Sequence, residues 1–225
     1  MTRKINLMAA ASGLVFSMTA LSAWAQTGSN PTVTDAYKNT AGGTQALSSS
    51  FNVSSRSTLG NTAFGYQALM ANTSGTYNVA SGHVALSQNT TGIYNTALGA
   101  FSLQRNTTGF GNTAVGNDSA AYMTTGTNNV AIGYGSMRGA TAAITGSSNV
   151  ALGRYTMANL TTGAFNIAIG DSVGNALMTG SNNIYIGGGG NTTNESNTIR
   201  IGGNTSDAAS SSPVSYTHLT LPTKA

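Results

Sequence analysis

A five-residue phrase, Asn followed by a small or apolar residue, Ala, another apolar residue and Gly, returns along this chain at a fixed step. It reads NTAFG from Asn61, NVASG from Asn78, NTALG from Asn95, NTAVG from Asn112, NVAIG from Asn129, NVALG from Asn149, NIAIG from Asn166 and NIYIG from Asn183. The step is 17 residues from Asn61 to Asn129 and again from Asn149 to Asn183, with one step of 20 between Asn129 and Asn149. A weaker copy, NTAGG from Asn39, and a worn one, TIRIG from Thr198, flank the array. A period held to the residue over most of a chain marks a repeat architecture in which each unit packs on its neighbours.

A 17-residue unit is too short for a helix pair, and its apolar residues alternate, as Val130 and Ile132 do around Ala131. Alternation means strand. One unit per turn, stacked about 4.8 Å apart, makes a parallel β-solenoid of about nine coils. With the Asn of each phrase counted as zero, every column has a physical reading. The plus-four glycines Gly65, Gly82, Gly99, Gly116, Gly133, Gly153, Gly170 and Gly187 suit a turn of positive φ, which Gly adopts without a Cβ clash. Glycines at minus three, such as Gly75 and Gly92, mark a second turn. The zero-position Asn side chains can bond nearby backbone and stack as a ladder. Leu69, Leu86, Leu103, Met137 and Met157 at plus eight predict a second short strand across a narrow core. The plus-two column, Ala63, Ala80, Ala97, Ala114, Ala131, Ala151 and Ala168, suits close approach by another sheet, so self-association is expected.

Composition agrees with an ordered but thinly cored chain: 29 Gly, 6% charged and 40% apolar among 225 residues. Residues 1–25 read as a secretory signal peptide, with Arg3 and Lys4, an apolar run from Leu7 to Leu21 and an A-x-A site at Ala23 to Ala25. The chain is therefore expected to cross the inner membrane to the cell surface or the medium, and the absence of Cys fits export without disulfides. Loss of the leader leaves seven basic against five acidic residues, and the remaining Arg are isolated, which disfavours nucleic acid as a partner. Residues 26–58 read as a low-complexity segment with a degenerate repeat, 59–203 as the array, and 204–225 as a disordered tail. From Ser215 onward the tail resembles translated vector sequence.

The phrases NVAIG, NVALG and NIAIG resemble the head repeats of trimeric autotransporter adhesins of the YadA-like, or Hep/Hag repeat, type, over roughly Leu59 to Gly202. The resemblance implies a left-handed β-roll and a homotrimer. It places plus one and plus three in each chain's core and the plus-two alanines at the trimer interface. The step of 17 exceeds the family's common 14, which implies a longer outer turn. No heptad stalk or barrel strands follow Gly203, so membrane attachment would need an anchor this chain does not carry.

Chemistry is sparse. His83, His218, Asp35, Asp118, Asp171, Glu195 and Asp207 form no catalytic or metal-binding motif, so neither an enzyme nor a cofactor is expected. The quadruple glycine from Gly187 lacks the Lys-Ser or Lys-Thr of a phosphate loop. Tyr66, Tyr77, Tyr94, Phe110, Tyr134 and Phe165 are candidates for an adhesive aromatic surface. The reading that results is an exported adhesin head binding host matrix, cells or surfaces by multivalent contacts. The alternatives are a phage-like or secreted fibre segment, or an ice- or small-ligand-binding solenoid, whose plus-one Thr ladder breaks halfway along the array and drifts apolar.

Overall fold

A computed structural model describes residues 33–34, 38–49, 59–139, 142–187, 194–202 and 214–216; the expected leader lies outside the described residues. The strands are short: β1 (Val33–Thr34), β2 (Thr40–Gly42), β3 (Thr62–Phe64), β4 (Val79–Ser81), β5 (Thr96–Leu98), β6 (Thr113–Val115), β7 (Val130–Ile132), β8 (Val150–Leu152), β9 (Ile167–Ile169), β10 (Ile184–Ile186), β11 (Ile199–Ile201) and β12 (Val214–Tyr216). They form one sheet in chain order. From β2 to β11 every pairing is parallel and in repeat register, with Ala63 opposite Ala80 and Ala131 opposite Ala151. This is a parallel β-solenoid, as the period implies. The insertion between Asn129 and Asn149 leaves β7 and β8 in register and is absorbed elsewhere in the coil. At the two ends β1 and β12 pair antiparallel, covering the outer edges of β2 and β11. The disordered tail expected from residue 204 is thus replaced over Val214–Tyr216 by an edge-covering strand.

The coil is turned the opposite way from the family-based expectation. Ala63, Ala80, Ala97, Ala114, Ala131, Ala151 and Ala168 are fully buried within their own chain, so they are core and not interface residues. Plus three, expected inside, faces outward, with Phe64, Leu98, Ile132 and Ile169 all exposed, and plus one is half-buried on the same outer face from Thr62 to Val150. The reason is the width of the coil. Leu69, Leu86, Leu103, Met137 and Met157 at plus eight are fully buried opposite the strands, and so are Met123, Ile144, Leu160 and Leu177 from the next turn. With these long side chains filling the interior, the strand wall has room for only a methyl group.

The second strand expected at plus eight is instead an arc of turns. Its plus-six and plus-eight residues have left-handed backbone even where they are bulky, including Val84 (φ 58), Leu86 (φ 51) and Phe101 (φ 58). Such conformations are costly for branched side chains and persist only where the surroundings enforce them. Here the enforcement is coil-to-coil hydrogen bonding, as from Leu69 N to Ala85 O (3.0 Å) and Leu86 N to Ser102 O (2.9 Å).

The two glycine columns answer different needs. At plus four the φ values run from 123° to 144° between Gly65 and Gly170, which supports the turn reading. At minus three φ is not positive, so the need there is space and not turn geometry. A Cβ on Gly126 would stand 2.5 Å from Gly146 O of the next coil.

Candidate interaction surface

The zero-position Asn residues form a buried spine. Asn78 Nδ2 donates to Asn61 Oδ1 (3.2 Å) and to Gly92 O (2.8 Å), while Asn61 Oδ1 also accepts from Asn78 N at 2.9 Å. The pattern repeats from Asn39 through Asn183, where Thr198 N supplies the last donor at 3.0 Å. A second, shorter ladder runs Asn72, Asn89, Asn106 at plus eleven. It stops where Met123 replaces Asn, and Asn106 Oδ1 is left buried without a hydrogen-bond partner. Both ladders fix the relative level of adjacent coils, so surface columns stay aligned.

Those columns give the coil three outward sides. The first is the sheet face. From Val130 to Ile201 its plus-one and plus-three residues are all Val, Ile or Leu, and neither column carries a charged residue from Thr62 onward. The second side, plus five to plus ten, holds Arg105, Asp118, Arg138, Arg154 and Asp171. Arg154 Nε donates to Asp171 Oδ1 at 2.8 Å between neighbouring coils, and this bond holds the Asp171 carboxyl below its ordinary pKa. Both groups are well exposed, so the pair adds little to stability. The third side, from plus thirteen to minus one, is free of charge from Ser74 to Asn182.

The six aromatic candidates are all exposed, yet they do not make one strip. Tyr66 and Tyr134 lie on the charged side. There Tyr66 stacks on His83 at 5.3 Å, His83 meets Phe101 edge-on at 5.1 Å, and Tyr134 meets Tyr155 edge-on at 5.2 Å. Tyr77, Tyr94, Phe110 and Phe165 lie on the uncharged side, where Tyr77 and Tyr94 stack in parallel at 5.4 Å. Gly60 stands above this pair and Gly111 below it in the same column, and both have the left-handed backbone of Tyr77 and Tyr94. Among the described residues no three of His, Cys, Asp and Glu come together as a metal site.

One cluster gave no clear sequence signal. In the last two copies the plus-two Ala becomes Tyr185 and Arg200. Tyr185 is fully buried, and its ring occupies the space that Gly174 leaves at plus eight, where a Cβ would lie 3.2 Å from Tyr185 Cδ2. Its hydroxyl donates to Glu195 Oε1 (2.7 Å), and Arg200 Nη2 donates to Glu195 Oε2 (2.6 Å). The swap of Ala for Tyr opposite Leu for Gly was visible in the residues, but only the coil geometry relates them. Burial, then the Glu195 bond, raise the Tyr185 hydroxyl above its ordinary pKa. The stabilising contribution is fully present below about pH 10, the unfolded tyrosine value, and is lost as pH rises from there toward the folded value. Tyr185→Phe is expected to flatten the loss of stability above about pH 10. Denaturant titrations at pH 8 and pH 11 check this, and an unchanged difference between the two would refute it.

Compared with protein-family models, curated proteins and solved structures, the chain matches none of them.

Proposed function

We propose that this chain is the head of an exported bacterial surface adhesin that associates as a homotrimer and attaches to host matrix, cells or other surfaces through many weak contacts. The observation that carries the reading is the sheet face. Five successive strands, β7 to β11, present two outward columns of Val, Ile and Leu, with Ile132 40% and Ile201 51% exposed in the single chain. An apolar surface this continuous is uncommon on a monomer and is suited to burial against copies of itself. The interface proposed is therefore this face, in place of the alanine column, and the number three rests on the family resemblance. Stacked, level coils then display the remaining sides many times over, which suits avidity.

Sedimentation equilibrium of the whole chain at micromolar concentration is expected to give three times the chain mass. The double substitution Ile132→Lys and Ile169→Lys places two cations on the buried face and is expected to give monomer with unchanged circular dichroism. A monomeric unsubstituted chain would overturn the trimer. Failure of a correctly displayed trimer to increase retention of cells on matrix-coated, cell-coated and abiotic surfaces would overturn the adhesive role.

A further inference from the structure

Building on the adhesin reading, we infer that the uncharged side of the solenoid binds neutral polysaccharide. Three observations converge there. From Ser74 to Asn182 the columns from plus thirteen to minus one contain no Asp, Glu, Lys or Arg, whereas plus five to plus ten carries five charges. A polyanion such as a sulfated glycan or a nucleic acid gains its affinity from basic groups, so this side is unsuited to it. An uncharged sugar chain gains most from ring stacking and from neutral hydrogen-bonding groups. Rings are present: Tyr94 is 59% exposed in a parallel stack with Tyr77, and Phe165 is 64% exposed further along the same column. Hydroxyls are present too. Thr91, Thr108, Thr125, Thr145 and Thr162, each four residues before the next zero-position Asn, form an exposed column, one per coil.

The column of rings also contains a vacant rung. Tyr77 leans over Gly60, whose Cβ would lie 2.8 Å from the Tyr77 ring, and Asn128 leans in the same sense over Gly111, with Oδ1 2.5 Å from the Cβ that Gly111 lacks. Tyr94 follows the same lean in stacking on Tyr77. Gly111 contributes no side chain between Tyr94 and Asn128, so one face of the Tyr94 ring is left to an incoming ring, with the Asn128 amide beyond it. A pyranose stacked there would extend along the column toward the threonine row.

The test is retention of the whole chain on microcrystalline cellulose and on immobilised dextran, with heparin as the polyanion. Because Gly60 and Gly111 occupy the same column with the same backbone, Tyr77→Gly and Tyr94→Gly preserve the fold. The double variant is expected to lose at least tenfold in retention on the neutral glycans, while Tyr66→Ala with Tyr134→Ala on the charged side retains it. Retention on the neutral glycans is expected to persist in 1 M NaCl. Binding to heparin alone, equal loss in both variants, or no retention on either neutral glycan would overturn the inference. Sedimentation of the same samples separates the two claims. A trimer that holds cells but neither glycan refutes only the glycan, and a monomer that holds glycan refutes only the trimer.

Discussion

Asn112→Ala is expected to lower the unfolding free energy by about 3–5 kcal/mol, because it strands several buried polar groups at once. Asn112 is 1% exposed. Its Nδ2 donates to Asn95 Oδ1 (3.1 Å) and Gly126 O (2.8 Å), and its Oδ1 accepts from Asn129 N (3.0 Å) and Asn129 Nδ2 (3.1 Å). Alanine fills none of these places, and water cannot reach them without opening the coil. Each unsatisfied buried group costs about 1–3 kcal/mol, partly recovered by local adjustment. Asn117→Ala, on an exposed residue five positions on, is the control and should stay within about 0.5 kcal/mol of the unsubstituted chain. Urea titrations followed by circular dichroism check both. Equal small effects would mean that the spine contributes little.

Gly99→Ala is the second large effect, expected to cost roughly 3–5 kcal/mol, from a backbone conformation foreign to L residues together with a backbone clash. Gly99 has φ 130°, and a Cβ there would stand 2.5 Å from Gly116 O and 2.6 Å from Gly116 C. The obstacle is the main chain of the next coil, which cannot rotate away as a side chain could. The same column offers its own contrast. At Gly187, φ is 80° and, among the described residues, the nearest atoms to an added Cβ are 3.9 Å away, so Gly187→Ala should cost only about 1–2 kcal/mol, the ordinary left-handed penalty. Thermal or urea unfolding of the two variants side by side measures the difference. A Gly99→Ala cost no greater than that of Gly187→Ala would refute the close-approach explanation.

The parts of this fold legible in the sequence were those that a single residue type enforces. Gly at plus four and Asn at zero leave few alternatives, and the structure gives both columns the turn and ladder roles that their chemistry implies. The direction of the strands was harder. Val-Ala-Ile alternation fits two arrangements that differ by which parity faces inward, and hydrophobicity alone favours the larger residues inside. What decides it is the opposite wall, where Leu103, Met137 and Leu160 already fill the interior. Tyr185 shows the rule by exception, since a large plus-two residue is accommodated where plus eight has shrunk to Gly174. The arc could not be read at all, because Leu, Val and Phe rarely take left-handed backbone and no local preference announces it. The aromatic candidates were recognisable singly, whereas their division between a charged and an uncharged side depends on how the coil closes.

Each coil buries its alanine and turns its larger apolar residues outward. The chain has no cysteine, so a single introduced thiol reports on one position. The most direct measurement is the rate of maleimide labelling of Ala131→Cys and Ile132→Cys variants, folded and at nanomolar concentration, where copies are apart. The position 132 thiol is expected to react about a hundredfold faster, since labelling at position 131 must wait for local opening. Faster reaction at position 131, with the fold intact, would mean that the alanine column faces outward and the larger apolar residues inward.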